Sequence, residues 1–351
     1  MHQLLSLSLL FIAWKGLVLT TAWCAPGLGY DTSTTLLPSG SKLVRWDAIY
    51  YVHKAQYGEV FEQEWAFGKG LSTVMSTMSS QNLNSTIAAG VLLAHASHFI
   101  SVLVLWAIAN TLRARSRTEE SLHQALPFVA ACLHILSPAG IFLSAPYAES
   151  PFSCLNMLGI WFYLQSHTLG MHYLLATRSG LIVISGICFG LATLIRSNGI
   201  LSGIPVLLDA VELMWKLISG LAEGHLSWSR LCLLTASVCS GLCVAMGLIV
   251  PQYLAHQEYC TATETVRPWC YEKVPMIYSF VQSHYWCVDP EYAYVLILMS
   301  VGASDSFDTG LSPTCPCLRW RYLCYQCSSL PALTASCLSQ TRWTCSHHHA
   351  R

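Results

Sequence analysis

Long apolar runs, not short alternation, set the pattern of this chain. Residues 4–24 are predominantly apolar, and Lys15 is the one charged residue among them. Further runs occupy 86–112, 125–145, 151–165, 180–195, 199–218 and 231–252. About 20 predominantly apolar residues carry a helix across a hydrocarbon core of roughly 30 Å, so the pattern predicts an all-α, polytopic membrane protein of about seven or eight segments. The first run has no basic start and exceeds a usual signal core, which predicts a retained helix. Ser137-Pro138-Ala139 predicts a kink near the middle of the third run. The stretch 291–302 is too short to span alone. Residues 1–302 thus read as one membrane domain and 303–351 as a cysteine-rich tail with no assigned function.

Composition agrees with that class. The chain has 351 residues, 54% hydrophobic and only 10% charged, against roughly 25% charged in soluble domains. Eighteen basic residues balance eighteen acidic ones. No net field therefore recruits nucleic acid.

The connections carry an asymmetry. Arg113, Arg115 and Arg117 follow the second run, Arg178 precedes the fifth, and Lys216 and Arg230 flank the connection after the sixth. If each run crosses once, these cations share a side, predicted to be the cytosol. The amino terminus is then cytosolic, and 25–85, 146–150, 196–198 and 252–290 face the opposite side. The unusual polar and aromatic clusters fall on that second side, which points to a site there.

The densest cluster is Arg45-Trp46-Asp47-Ala48-Ile49-Tyr50-Tyr51, followed by Glu62-Gln63-Glu64-Trp65-Ala66-Phe67. Asp47 reads either as a helix cap within an interfacial aromatic belt or as an acid/base group in a desolvated aromatic pocket that raises its pKa. Trp46 then shapes a sugar pocket. Glu62 and Glu64 read as further acids of the site or as the exposed face of an amphipathic segment. Glu149 reads as a site acid or a headgroup-level carboxylate. Arg196, in Arg196-Ser197-Asn198-Gly199, reads as a snorkelling cation or a phosphate ligand, for which a guanidinium fork is well matched. Ile277 to Trp286 reads as a re-entrant or interfacial helix presenting Gln282 and His284.

Other signals narrow the chemistry. The sequence has no Asp-x-Asp pair of the kind that holds a metal–nucleotide sugar, no glycine-rich phosphate loop and no Gly-x-Ser-x-Gly. No metal site is predicted. The cysteines within the runs read as small packing residues. Cys260 and Cys270 share a connection on the predicted non-cytosolic side and are candidates for a disulfide. Cys315-Pro316-Cys317 and Cys324 to Cys327 have zinc-like spacing, but their surroundings fit no clear finger.

In these segments the chain resembles the PIG-V/Gpi18 family, GPI mannosyltransferase 2, in its fungal form. The resemblance rests on Gly29 to Ser33, Arg45 to Tyr50, Glu62 to Phe67, Ser137 to Ser150, Arg196 to Gly199 and Tyr278 to Trp286, in family order over about the first 286 residues. It implies a GT-C-like, multi-pass enzyme of the endoplasmic reticulum membrane with a luminal active site. It also implies transfer of mannose from dolichyl-phosphate mannose to a GPI-anchor precursor, adding the second mannose in α-1,6 linkage with inversion. No cofactor beyond that donor is implied; the partners are the two lipid-linked substrates, membrane lipids and a small membrane subunit. Asp47 is then the general base, Trp46, Glu62, Glu64, Glu149, Arg196 and Asn198 surround the substrates, and Gln282 and His284 contact donor or acceptor. Lys69 stands where the family usually has proline. After Trp286 the family continuation is replaced by Cys287-Val288-Asp289-Pro290 and the tail, which reads as a truncated or misjoined carboxyl terminus. The rival readings are another dolichyl-phosphate-sugar transferase and a non-catalytic membrane transporter or scaffold.

Overall fold

The computed structural model describes residues 2–25, 42–80, 82–115, 121–168, 175–261 and 266–285; the regular elements among them are all helices, with no strand. The helices in chain order are α1 (His2–Cys24), α2 (Asp47–Tyr57), α3 (Lys69–Met78), α4 (Leu83–Arg115), α5 (Ser121–Ile135), α6 (Glu149–Thr168), α7 (Leu175–Ile195), α8 (Ile204–Ala222), α9 (Trp228–His256) and α10 (Ile277–Tyr285). Among the described residues, four helices are long and apolar enough to cross a membrane: α1, α4, α7, and α9 with its continuation to Thr261. The all-α membrane architecture expected from the runs is the one observed. The stretch 291–302, the cysteine-rich tail and the Gly29 to Ser33 segment lie outside the described residues.

The chain divides into two compact units, Met1–Tyr278 and Ser279–Arg351. Within the first, successive helices run in opposite directions, as polar contacts at one end show. Trp106 Nε1 donates to Gln3 Oε1 at 3.2 Å, Gln165 to Thr111 at 3.4 Å, Arg178 Nε to the Ser166 carbonyl at 3.0 Å and Arg230 Nη1 to the Lys216 carbonyl at 3.1 Å. Arg113 and Arg115 end α4 there too. At the opposite end lie α2, α3, the start of α6 and the close of α7.

Helices α7 and α9 form the tightest contact. A Cβ added to Gly190 would lie 2.3 Å from the Cys243 carbonyl oxygen, and one on Gly247 would lie 2.2 Å from that of Gly190. Two backbones approach this closely only over small residues, a packing mode favoured where lipid supplies no hydrophobic drive between helices.

The third run departs from expectation. Helix α5 stops at Ile135 instead of continuing, kinked, to 145. Pro138 cannot donate a backbone hydrogen bond and disfavours helical geometry in the residue before it, so the chain leaves the helix there. Residues 139–148 form a series of turns, with Leu143 N bonded to the Ala139 carbonyl at 3.0 Å and Ala145 N to that of Ile141 at 2.9 Å. Leu143 to Ala148 are all buried. Irregular backbone at this depth is tolerable only inside protein, where its polar groups find partners.

Candidate active site

Helix α2 begins at Asp47, so the aromatic pair Tyr50 and Tyr51 falls within its first turn and a half. Its buried residues Ala48, Tyr51, Val52 and Ala55 recur at helical spacing and share a core with Leu71 and Met75 of α3, Ile87 of α4, and Ala145, Tyr147, Ala148 and Ile195. This core seats α2 and α3 over the ends of α4, α6 and α7. Gly68 is part of the seating: an added Cβ would meet the Ile195 carbonyl oxygen at 1.9 Å, so only glycine lets the loop reach the end of α7.

The residue before Asp47 is strained. Trp46 has φ of 50°, and it is the one non-glycine residue with positive φ among the described residues. Such backbone costs of order 1–3 kcal/mol and persists only when its surroundings hold it. Here the Trp46 ring stacks on Phe142, with centroids 5.9 Å apart, and Tyr147 Oη donates to the Arg45 carbonyl at 2.7 Å. Both contacts come from the segment that Pro138 frees from the helix. The turn that orients Asp47 is thus clamped by the broken third run.

Around Asp47 the structure assembles a charged group from distant parts of the chain. Glu149, at the first position of α6, forms an ion pair with Arg196, which follows the last residue of α7. Asp47 is exposed by surface area yet crowded enough for desolvation to raise its carboxyl pKa. Glu149 raises it further, and Arg196 opposes both. Tyr51 feels the same three charges and is held neutral, chiefly by burial. Two carboxylates and one guanidinium therefore share a small region, with Asp47 poised to accept a proton above the usual aspartate range. Glu149 Oε2 is buried and has no hydrogen-bond partner among the described residues. Asn198 is exposed on the 3₁₀ turn Ser197–Gly203 that follows Arg196.

Glu62 and Glu64 have a different environment. Both are buried, in a 3₁₀ turn, Glu62–Ala66, not on an exposed amphipathic face. Glu64, 1% exposed, accepts from the amides of Val60 and Phe61 at 2.7 and 2.9 Å and meets His53 Nδ1 at 2.5 Å. Glu62 pairs with Arg267 Nε at 3.1 Å. Buried Lys54 donates to the carbonyls of Glu64 and Phe67 at 3.0 and 2.7 Å, and burial lowers its pKa to about 8. These groups pair with one another and with the backbone of the 59–67 loop. Its Phe67 ring stacks on Tyr50 at 4.4 Å. Arg267 lies in the loop closed by the Cys260–Cys270 disulfide, the pairing expected from the sequence.

The group around Asp47 is built within the first unit; Gln282 and His284 belong to the second. On α10 the His284 ring is exposed and stacks on Phe280 at 5.0 Å. Trp286 lies outside the described residues. Sequence reasoning overlooked His53 and Lys54, whose signal was a pair of basic residues on a helix 8 to 11 residues before Glu62 and Glu64. It also passed over Gly186 and Gly190, whose four-residue spacing in an apolar helix marks a close helix contact.

The mannosyltransferase (PIG-V) family profile matches residues 30–291, a span that contains every member of the Asp47 group. The chain belongs to that family. Among its relatives, the GPI mannosyltransferase 2 of Aspergillus oryzae is 39% identical, over 81% of this chain and 66% of the relative, and that of Gibberella zeae 36%, over 82% and 68%. The Schizosaccharomyces pombe protein of the same name is 28% identical, over 70% and 47%. The chain spans about two thirds of the length of the Aspergillus oryzae and Gibberella zeae relatives. Among solved structures, the Archaeoglobus fulgidus oligosaccharyltransferase aligns with a TM-score of 0.36 at 14% identity, over 71% of this chain and 32% of that one.

Proposed function

We propose that this chain transfers mannose from dolichyl-phosphate mannose to a GPI-anchor precursor, adding the second mannose in α-1,6 linkage on the luminal side of the endoplasmic reticulum membrane. The observation that carries the reading is Asp47, with its raised pKa, beside the Glu149–Arg196 pair at one end of a helical membrane bundle. In the proposed step the acceptor hydroxyl oxygen attacks the anomeric carbon while its proton passes to Asp47. The bond between that carbon and the phosphate oxygen breaks, and its electron pair leaves with dolichyl phosphate. Arg196 is part-exposed, and its guanidinium has donors beyond the one on Glu149 to meet the phosphate. Trp46, exposed beside Asp47, offers an aromatic face to a sugar ring. Asn198, Gln282 and His284 are assigned to substrate contact, and a small membrane subunit is the expected partner.

Two features favour the luminal placement. Arg113, Arg115, Arg178, Lys216 and Arg230 gather at the end opposite Asp47, as expected of a cytosolic face. The Cys260–Cys270 disulfide tethers the loop that meets Glu62, and such bonds persist in oxidising compartments.

The test is lipid profiling of cells depleted of their own enzyme and supplied with this chain. The one-mannose GPI precursor should accumulate on depletion and disappear on supply. Its persistence beside a well-expressed chain refutes the proposal, and a defect confined to N-glycan precursors points to a different dolichyl-phosphate-sugar transferase.

A further inference from the structure

Lys15 stands out because nothing in the Asp47 group uses it. It sits mid-way along α1, the most amino-terminal of the apolar helices, and is 3% exposed. A lysine at such a position costs about 2.5–3.5 kcal/mol on insertion scales, and one that stays marks a role by default. Snorkelling is excluded by its burial and by where the ammonium points. Nζ donates to the Leu143 carbonyl at 2.6 Å and to Ser144 Oγ at 2.9 Å, 128 and 129 residues away in sequence, and lies 5.6 Å from the Phe11 ring centroid.

Those acceptors, one backbone carbonyl and one hydroxyl, belong to the segment that Pro138 removes from α5. Leu143 O also accepts from Ser150 Oγ at 3.2 Å, and Ser144 Oγ donates to the Gly140 carbonyl at 2.7 Å. Lys15 is therefore the charged centre of a small network that fixes the turns of 139–148. Three residues beyond Ser144 comes Tyr147, which clamps Arg45; five beyond comes Glu149, which pairs with Arg196. On the other flank Phe142 carries the strained Trp46.

We infer that Lys15 is a positioning residue: from inside the bundle it anchors the break in the third apolar run, and the break in turn sets Trp46, Tyr147 and Glu149 around Asp47. The inference rests on the reading of Asp47, Glu149 and Arg196 as the reacting group. A misplacement of about 1 Å at reacting groups costs about 100-fold in rate, so a loosened anchor acts on turnover before it acts on lipid binding.

The experiment uses the full chain in lipid nanodiscs, with amide hydrogen exchange and mannosyl-transfer kinetics measured on Lys15→Met and on the milder Ser144→Ala. Ser144→Ala keeps the ammonium and its Leu143 bond, so it reports even if Lys15→Met fails to fold. Expected are faster exchange across 139–148 with α7 and α9 still protected, and a kcat reduced about 10- to 100-fold in Lys15→Met and less in Ser144→Ala, with KM for both lipids little changed. Unchanged exchange across 139–148, wild-type kcat, or protection lost equally throughout the bundle overturns the inference. If the wild-type chain transfers no mannose, the proposed function has failed, and the exchange measurement alone decides whether Lys15 anchors the break.

Discussion

Replacing Asp47 by Asn separates catalysis from folding. The side chain occupies the first position of α2, is exposed by surface area, and follows an N-cap residue, Trp46, that makes no side-chain cap bond. Its removal opens no cavity. The stabilisation at stake is the carboxylate's attraction to the helix amino terminus, worth about 0.3–1 kcal/mol, together with the Arg196 attraction. Desolvation and the charge of Glu149 act against the ionised form, so neutralisation relieves part of that loss. Stability should therefore change by less than about 1 kcal/mol. Asn takes no proton, so the transfer step loses general-base assistance of about 10²–10⁴-fold, a barrier increase of about 3–5 kcal/mol. The assay is single-turnover mannosyl transfer from labelled donor to a one-mannose acceptor lipid, beside thermal unfolding of the same preparation. Transfer within about threefold of wild type by a stable Asp47→Asn protein would refute the assignment, because no general base is so dispensable.

Three further outcomes follow from the same geometry. Glu149→Gln removes a charge that raises the Asp47 pKa and frees Arg196 to lower it. Asp47 must be ionised to act, so activity falls as pH drops through its pKa, and in the variant the acid limb of the kcat/KM profile should move to lower pH; an upward shift contradicts the charge arrangement. Gly190→Ala places a Cβ 2.3 Å from the Cys243 carbonyl oxygen and should cost about 1–3 kcal/mol of stability, whereas Gly241→Ala, whose Cβ meets nothing within 4 Å, should cost none; equal melting temperatures for the two would show that the α7–α9 contact is not close-packed. Replacing both Cys260 and Cys270 by Ser opens a loop of sequence separation 10 and should cost about 2–3 kcal/mol, with reductant no longer lowering the melting temperature; two free thiols in non-reducing peptide mapping of the wild type exclude the bond.

The membrane helices were legible because each depends on a local property, a run of apolar residues long enough to cross. The start of α2 at Asp47 and the sharing of one end by Asp47, Glu149 and Arg196 were also within reach, since charge in the connections orders the helix directions. The partners of Glu62 and Glu64 were not. A glutamate beside a tryptophan reads the same whether it faces a substrate or the amides of Val60 and Phe61, and only the fold of the 59–67 loop decides. The Glu149–Arg196 pair spans 47 residues and joins two helix ends whose proximity no periodicity reveals.

The break in the third run shows most clearly why two weak signals needed the structure to combine. Pro138 in an apolar stretch reads as a kink, because proline removes one donor and a membrane helix can absorb that loss by bending. Lys15 in another apolar stretch reads as an interruption, because one cation leaves enough hydropathy to cross. Each reading is sound locally. Backbone that leaves a helix in the protein interior, however, presents carbonyls that need donors, and an ammonium at the same depth presents donors that need acceptors. The two demands cancel only if α1 packs where residues 143 and 144 turn, and that is where Lys15 Nζ lies. A polar residue in one apolar helix and a proline in another are therefore better weighed as a possible pair than as two separate defects.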